Sequence, residues 1–237
     1  MTDARKAELR DNYLRVMDKI ETAKASRSMG GEVKLLAATK TVPAEEVCYL
    51  VEECGLKLCG ENHAQEFVAK YDDVTGAGGV MDFIGHLQTN KVKYVAGRAG
   101  LIHSVDSVKL AAEIQRICEK RGAIQDVLVE VNIGNEESKT GISPLDVSHF
   151  VEELGQFDRI NLRGMMTMAP KCEKNSEFRK YFAESYRIFL DIFAKKSHNI
   201  REAFLSMGMS DSYECAILEG SNIVRVGSAI FGSRIYK

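Results

Sequence analysis

The chain has 237 residues, 45% of them hydrophobic, and a net charge of -2. That length suits one α/β barrel or two smaller domains, and the composition is enough for a large core. The near-neutral charge excludes a general attraction to nucleic acid or anionic membrane.

Met1-Thr-Asp-Ala-Arg-Lys6 runs straight into charge and has no apolar signal core, and no apolar run reaches the length of a membrane span. A cytoplasmic location is expected. The six cysteines have no CxxC spacing and the five histidines are scattered, so reduced, mostly buried thiols and no metal site are expected.

In chain order, Leu9, Tyr13, Val16, Ile20 and Ala23 form one stripe, predicting an amphipathic helix from Asp3 to Arg27. Next comes Lys34-Leu-Leu-Ala-Ala-Thr-Lys40-Thr-Val-Pro43, an apolar run ending in a lysine. As a strand it puts Lys34, Leu36, Ala38 and Lys40 on one face, with Lys40 at the carboxyl end. A lysine desolvated there is suited to imine chemistry; the plainer reading is a strand meeting solvent.

Pro43 opens a helix to Glu53, and Leu56–Gly60 reads as a second strand. A helix to Tyr71 and a loose loop over Thr75–Gly79 lead to a third strand at Val80–Gly85. Thr89–Ala96 is a short helix. Leu101–Ser104 is the fourth strand, with Asp106 as the expected cap of a helix to Lys120. The rhythm continues with strands at Gln125–Asn132, Asn161–Met168, Ala203–Met207 and Asn222–Val226. Helices are expected at Pro144–Leu154, Ser176–Lys196 and Asp211–Leu218, with a final turn at Gly227–Phe231.

Eight strands alternating with helices predict a (β/α)8 barrel with an extra N-terminal helix. A doubly wound open sheet is the competitor, disfavoured because the strand count closes at eight and no GxGxxG follows the first strand. No Pro/Ser-rich linker divides the chain, so a single domain over residues 1–237 is expected.

A barrel works at the carboxyl ends of its strands. Ser206-Met-Gly-Met-Ser210 and Gly227-Ser228-Ala229 follow the last two strands, where barrels often hold phosphate. Glycine turns needing positive φ are the alternative. Arg225 shares the strand face of Gly227 and needs a partner, either a buried carboxylate or a ligand acceptor. A lysine for an aldehyde, a phosphate cradle and an arginine for a ring nitrogen together describe pyridoxal 5′-phosphate (PLP).

Ala37-Ala-Thr-Lys40-Thr, Gly60-Glu-Asn62, Phe83-Ile-Gly-His86-Leu-Gln-Thr-Asn-Lys91, His103-Ser-Val-Asp106, Gly164-Met-Met-Thr-Met168, Leu205-Ser-Met-Gly-Met-Ser-Asp211 and Val224-Arg-Val-Gly-Ser-Ala-Ile-Phe-Gly232 follow one another in order. With them the chain resembles the PLP homeostasis (YggS/PROSC-like) family from Val33 to Tyr236. That family is similar to the barrel of alanine racemase, a fold-type III PLP-binding barrel, without the racemase's C-terminal β domain.

The resemblance implies that Lys40 forms the internal aldimine with PLP. It implies that Ser206, Gly227 and Ser228 hold the phosphate, that Arg225 faces the ring nitrogen, and that Asn62, His86 and Met165 line the cofactor. Ser228 stands where the family commonly has threonine, and the hydroxyl is kept. The implied role is intracellular PLP buffering or delivery, in a monomer whose partners include apo PLP-dependent enzymes. An amino-acid racemase is the alternative, but the second-face base has no evident source. A phosphosugar-type barrel enzyme with a Schiff-base Lys40 explains Arg225 poorly.

Overall fold

Eight short parallel strands pair in chain order and the last closes on the first, forming a complete barrel. They are β1 (Lys34–Ala38), β2 (Leu58–Glu61), β3 (Val80–Phe83), β4 (Ile102–Val105), β5 (Gln125–Val131), β6 (Ile160–Thr167), β7 (Phe204–Ser206) and β8 (Ile223–Val226). This is a computed structural model, and it describes residues 1–136, 139–194 and 203–232. Closure removes both sheet edges, which an open doubly wound sheet would have left to cover.

The helices are α1 (Asp3–Ser26), α2 (Ala44–Cys54), α3 (Ala64–Gly76), α4 (Val92–Val95), α5 (Val108–Arg121), α6 (Val147–Leu154), α7 (Asn175–Phe189), α8 (Tyr213–Leu218) and α9 (Ser228–Phe231). Seven of them, α2 to α8, fall between consecutive strands, as the alternating hydrophobic pattern demands. Among the described residues no helix is long and apolar enough to cross a membrane.

Strand alternation separates two cores. Leu36, Ile84, Leu101, Leu128, Met166, Phe204 and Ile223 come only from the strands and the segments joined to them, and they fill the barrel. Their strand neighbours, such as Ala37, Cys59, Val129, Leu205 and Val224, face outward and pack with helix residues. The stripe of α1, Leu9 to Ala23, is buried in that outer layer. Its Arg5 clasps Glu46 of α2 with two hydrogen bonds (3.1 and 2.7 Å) and donates to the Phe231 carbonyl (2.9 Å). The N-terminal helix thus supports both the segment after β1 and the turn after β8.

Some boundaries differ from those read in the sequence. Asp106 does not cap α5; the Ser107 hydroxyl does so, accepting from the Leu110 N–H at 3.4 Å. Ser107 has the extended backbone of a cap residue, so its oxygen reaches the first free donors. The loop expected from Thr75 is still helical through Gly76: the Ala77 N–H continues the ladder to the Asp73 carbonyl (3.0 Å), and the Gly79 N–H closes on the Val74 carbonyl (2.9 Å). Helix α6 starts at Val147, after a turn in which the Asp146 N–H bonds the Ser143 carbonyl (2.9 Å). Helix α7 passes into one wider turn over Leu190–Ala194, and the expected end at Lys196 lies outside the described residues.

Candidate functional site

Lys40 lies just past the carboxyl end of β1, in a turn closed by the Val42 N–H on the Thr39 carbonyl (3.0 Å). With Ala38, Gly227 and Ser228 it lines a cavity of about 500 Å³, within the size range of small-ligand sites. Neighbouring strands bring these residues together: β1 and β8 pair Leu36 with Arg225 and Ala37 with Val226. Arg5, Glu8 and Glu46 form the outer wall.

The Gly227–Ala229 turn is held from below by Ser210, whose hydroxyl oxygen accepts the N–H groups of Gly227 (3.2 Å) and Ala229 (3.3 Å). Exposed Ser228 sits between them. Ser210 is thus an organiser of this turn that sequence reasoning missed; the only signal was its place in Ser-Met-Gly-Met-Ser.

Ser206 is fully buried and does not line the cavity. Its oxygen accepts from Arg225 Nη1 (2.7 Å) and lies 3.0 Å from His103 Nδ1. Arg225 Nη2 donates to the Thr167 carbonyl (3.0 Å). Among the described residues Arg225 has no ion pair, and burial pushes its guanidinium down to about 10.

Donor counting sets the direction of this chain. Arginine can only donate, so the Ser206 hydroxyl proton is free for His103 Nδ1. His103 Nε2 then carries its hydrogen toward Asp82 Oδ2, 3.3 Å away. Burial holds the His103 imidazole below its usual range against the opposing pull of Asp82, so it is neutral at neutral pH. Glu130, on the interior face of β5, takes the Thr140 hydroxyl (2.9 Å) on one oxygen, and burial raises its carboxyl above the usual range.

Asn62 and His86 meet in a second cavity of about 90 Å³, not in the one around Lys40. Gly85 permits this, since a Cβ there would run into the Asn62 backbone. His86 is exposed and its Nδ1 lies 3.8 Å from Asp106 Oδ2. Met165 requires a correction. It packs in the outer core, and Met166 takes the interior position. A bulge in β6 pairs Val127 with Leu162 but Leu128 with Gly164, so the extra residue Arg163 reverses the alternation beyond it.

Closure, strand order and polar groups gathered at the carboxyl-end mouth define a ligand-binding (β/α)8 barrel. The chain belongs to the family described as alanine racemase, N-terminal domain, whose model matches residues 7–235, and within it to the pyridoxal phosphate homeostasis proteins. It is 42% identical to the pyridoxal phosphate homeostasis protein of Aquifex aeolicus, over 94% of this chain and 96% of that one. The crystal structure of an unknown protein from Bifidobacterium adolescentis is 35% identical with a TM-score of 0.89, covering 98% of this chain and 97% of that one. PipY of Synechococcus elongatus, solved with PLP bound, is 27% identical with a TM-score of 0.77, covering 91% of this chain and 99% of that one.

Proposed function

We propose that this protein binds PLP at the β1–β8 seam and serves PLP homeostasis by holding and passing on the cofactor. The observation that carries the reading is the shared cavity of Lys40, Gly227 and Ser228. It offers a primary amine and a small-residue turn with an exposed hydroxyl, the donor set that an aldehyde bearing a phosphate requires. The naming of the Aquifex aeolicus relative and the PLP in PipY support the same ligand.

When bound, PLP supplies an aldehyde that condenses with a primary amine, releasing water. Lys40 Nζ is the amine we assign to it. Gly227 and Ser228 receive the phosphate, on a turn shaped by Ser210. Arg225, buried on β8 behind the cavity lining, is the residue we assign to the ring nitrogen; having only donors, it would favour an unprotonated nitrogen there and so a weak electron sink. Ser206 acts through Arg225, to which it is bonded, rather than on the phosphate. Asn62 and His86 belong to the neighbouring part of the mouth. We read the protein as a cytoplasmic monomer that supplies apo PLP-dependent enzymes.

Two measurements test this. Borohydride reduction and peptide mapping of PLP-loaded protein put the pyridoxyl mass on the Lys40 peptide; a tag on another lysine, or none, refutes the assignment. Incubation with L-amino acids in deuterated water yields negligible α-exchange, whereas an apo PLP-enzyme is activated faster than free release allows. Rapid α-exchange that disappears in Lys40→Ala would make the protein a PLP enzyme of the racemase type instead.

A further inference from the structure

Lys40 is flanked by two peptide groups, and one cluster, buried at Glu61 and Lys70 and partly exposed at Glu66, holds both. On the upstream side, the Thr39 carbonyl accepts from Lys70 Nζ at 2.8 Å. On the downstream side, the Thr41 N–H donates to Glu66 Oε2 at 2.6 Å. Lys70 joins the two halves, with its Nζ 3.4 Å from the same Glu66 oxygen.

The ammonium is anchored from below by fully buried Glu61, whose Oε1 lies 2.6 Å from Lys70 Nζ and also takes the Thr39 hydroxyl at 2.6 Å. Lys70 itself is only 8% exposed, far from where a lysine usually lies. A buried ion pair is weak evidence of added stability, because desolvation opposes the Coulomb gain. Its position is more informative than its energy.

The backbone between the two anchors is strained. Thr41 has φ +64, the left-handed region that a β-branched residue avoids. Such a conformation persists where surrounding contacts over-determine it, and it clusters at ligand sites. Here those contacts are the Glu66 carboxylate on Thr41 and the Lys70 ammonium on Thr39.

We propose that Lys70, with Glu61 and Glu66, is a positioning clamp for Lys40: it fixes the peptide on each side of that residue and so sets the approach of its amine to a bound aldehyde. This rests on the reading of Lys40 as the amine that attaches PLP. None of the three clamp residues lies against the ligand in that reading; they act through the Lys40 backbone. Their chemistry is suited to the task, since two carboxylates and one ammonium form charge-assisted bonds that a mobile loop would not keep.

The test uses the full-length protein and two readouts. The first is amide exchange at Thr41 in ligand-free protein, which does not depend on PLP. The wild type is expected to be protected, with exchange about tenfold or more faster in Glu66→Ala and Lys70→Met. The second is the rate at which PLP becomes borohydride-trappable on Lys40, scored in variants that remain folded. It is expected to fall on the order of tenfold to a hundredfold in Glu66→Ala, Lys70→Met and Thr41→Gly. Thr41→Gly separates positioning from stability: glycine accepts φ +64 without strain, which offsets the lost hydroxyl bond to the Lys40 carbonyl (2.6 Å), so this variant stays folded yet traps more slowly.

Unchanged Thr41 exchange, or trapping at the wild-type rate in folded Glu66→Ala and Thr41→Gly, overturns the clamp. Absence of a trappable link at Lys40 in the wild type would instead overturn the PLP assignment, and the exchange measurement would still decide whether the clamp exists. Should Lys70→Met fail to fold, the partly exposed Glu66 and the surface Thr41 carry the same decision.

Discussion

At the scale of single residues, the mouth of the barrel is governed by donor accounting. Arg225, Ser206, His103 and Asp82 form a one-way chain in which each buried donor meets an acceptor. Such a chain is stable only while His103 stays neutral, and burial keeps it so. The sign of the pH dependence follows. The unfolded imidazole takes up a proton near its ordinary value of 6.5, whereas the native one titrates lower. Below that ordinary value the unfolded state binds more protons, so this group's contribution to stability is lost as pH falls. Glu130 acts oppositely: its carboxyl is raised by burial, so its contribution is present below the ordinary 4.5 and is lost as pH rises through the native value. Comparing wild type with His103→Gln isolates the histidine, because Glu130 is common to both. The stability advantage of the wild type in urea denaturation should shrink between about pH 7.5 and about pH 5.5. An advantage that is flat or grows with acidification would contradict a neutral buried His103.

At the scale of elements, the bulge in β6 has the widest consequences. The register slips by one residue at Arg163, and beyond it Met165 faces the helices while Met166 faces the barrel. Gly164 makes the bulge possible. Its φ is +140, and a side chain there would collide with the Phe204 backbone of β7. Gly164→Ala should therefore destabilise the fold by more than about 3 kcal/mol, because strained backbone and a lost strand pairing combine. The measurement is the denaturant midpoint at constant m-value; a loss below about 1 kcal/mol, less than strained backbone alone costs, would show that β6 and β7 adjust freely. The same element scale explains α1. Its Arg5 and Glu8 line the outer wall of the cavity, and Arg5 and Asn12 bond the carbonyls of Phe231 and Ile230 and so brace the turn that begins at Gly227.

At the scale of the whole molecule, the proposed PLP site lies on the seam where the first strand meets the last. Lys40 follows β1 and Ser228 follows β8, so a ligand held by both ties together the two ends of the barrel. Binding to the native state alone stabilises by mass action, about 2.7 kcal/mol at a hundredfold excess over Kd. PLP should thus raise the thermal midpoint. Pyridoxal, which has the aldehyde without the phosphate, should bind at least about tenfold more weakly, since charge-assisted hydrogen bonds to the turn are missing. Equal stabilisation by the two would remove Gly227 and Ser228 from the phosphate site.

Much of this architecture is local information. Alternating apolar runs of strand and helix length prescribe eight β/α units, and a barrel is how eight such units bury both faces of a parallel sheet. That Lys40, Gly227 and Ser228 share one mouth of the barrel could be expected from the sequence because each follows a strand's carboxyl end, and that position is set by the chain itself. What the sequence could not determine is how residues far apart divide the work once they meet. Ser206 and Ser210 look equivalent in Ser-Met-Gly-Met-Ser, but strand pairing buries the first under Arg225 and lets the second support the Gly227 turn. Met165 and Met166 exchange faces through a bulge with no signature beyond one glycine. Lys70 looks like any surface lysine of an amphipathic helix, and only the packing of α3 against β2 brings its ammonium to Glu61 and the Thr39 carbonyl. Hydrophobic periodicity specifies which face of an element is buried; which polar groups satisfy one another inside is decided by register and closure, which are properties of the assembled barrel.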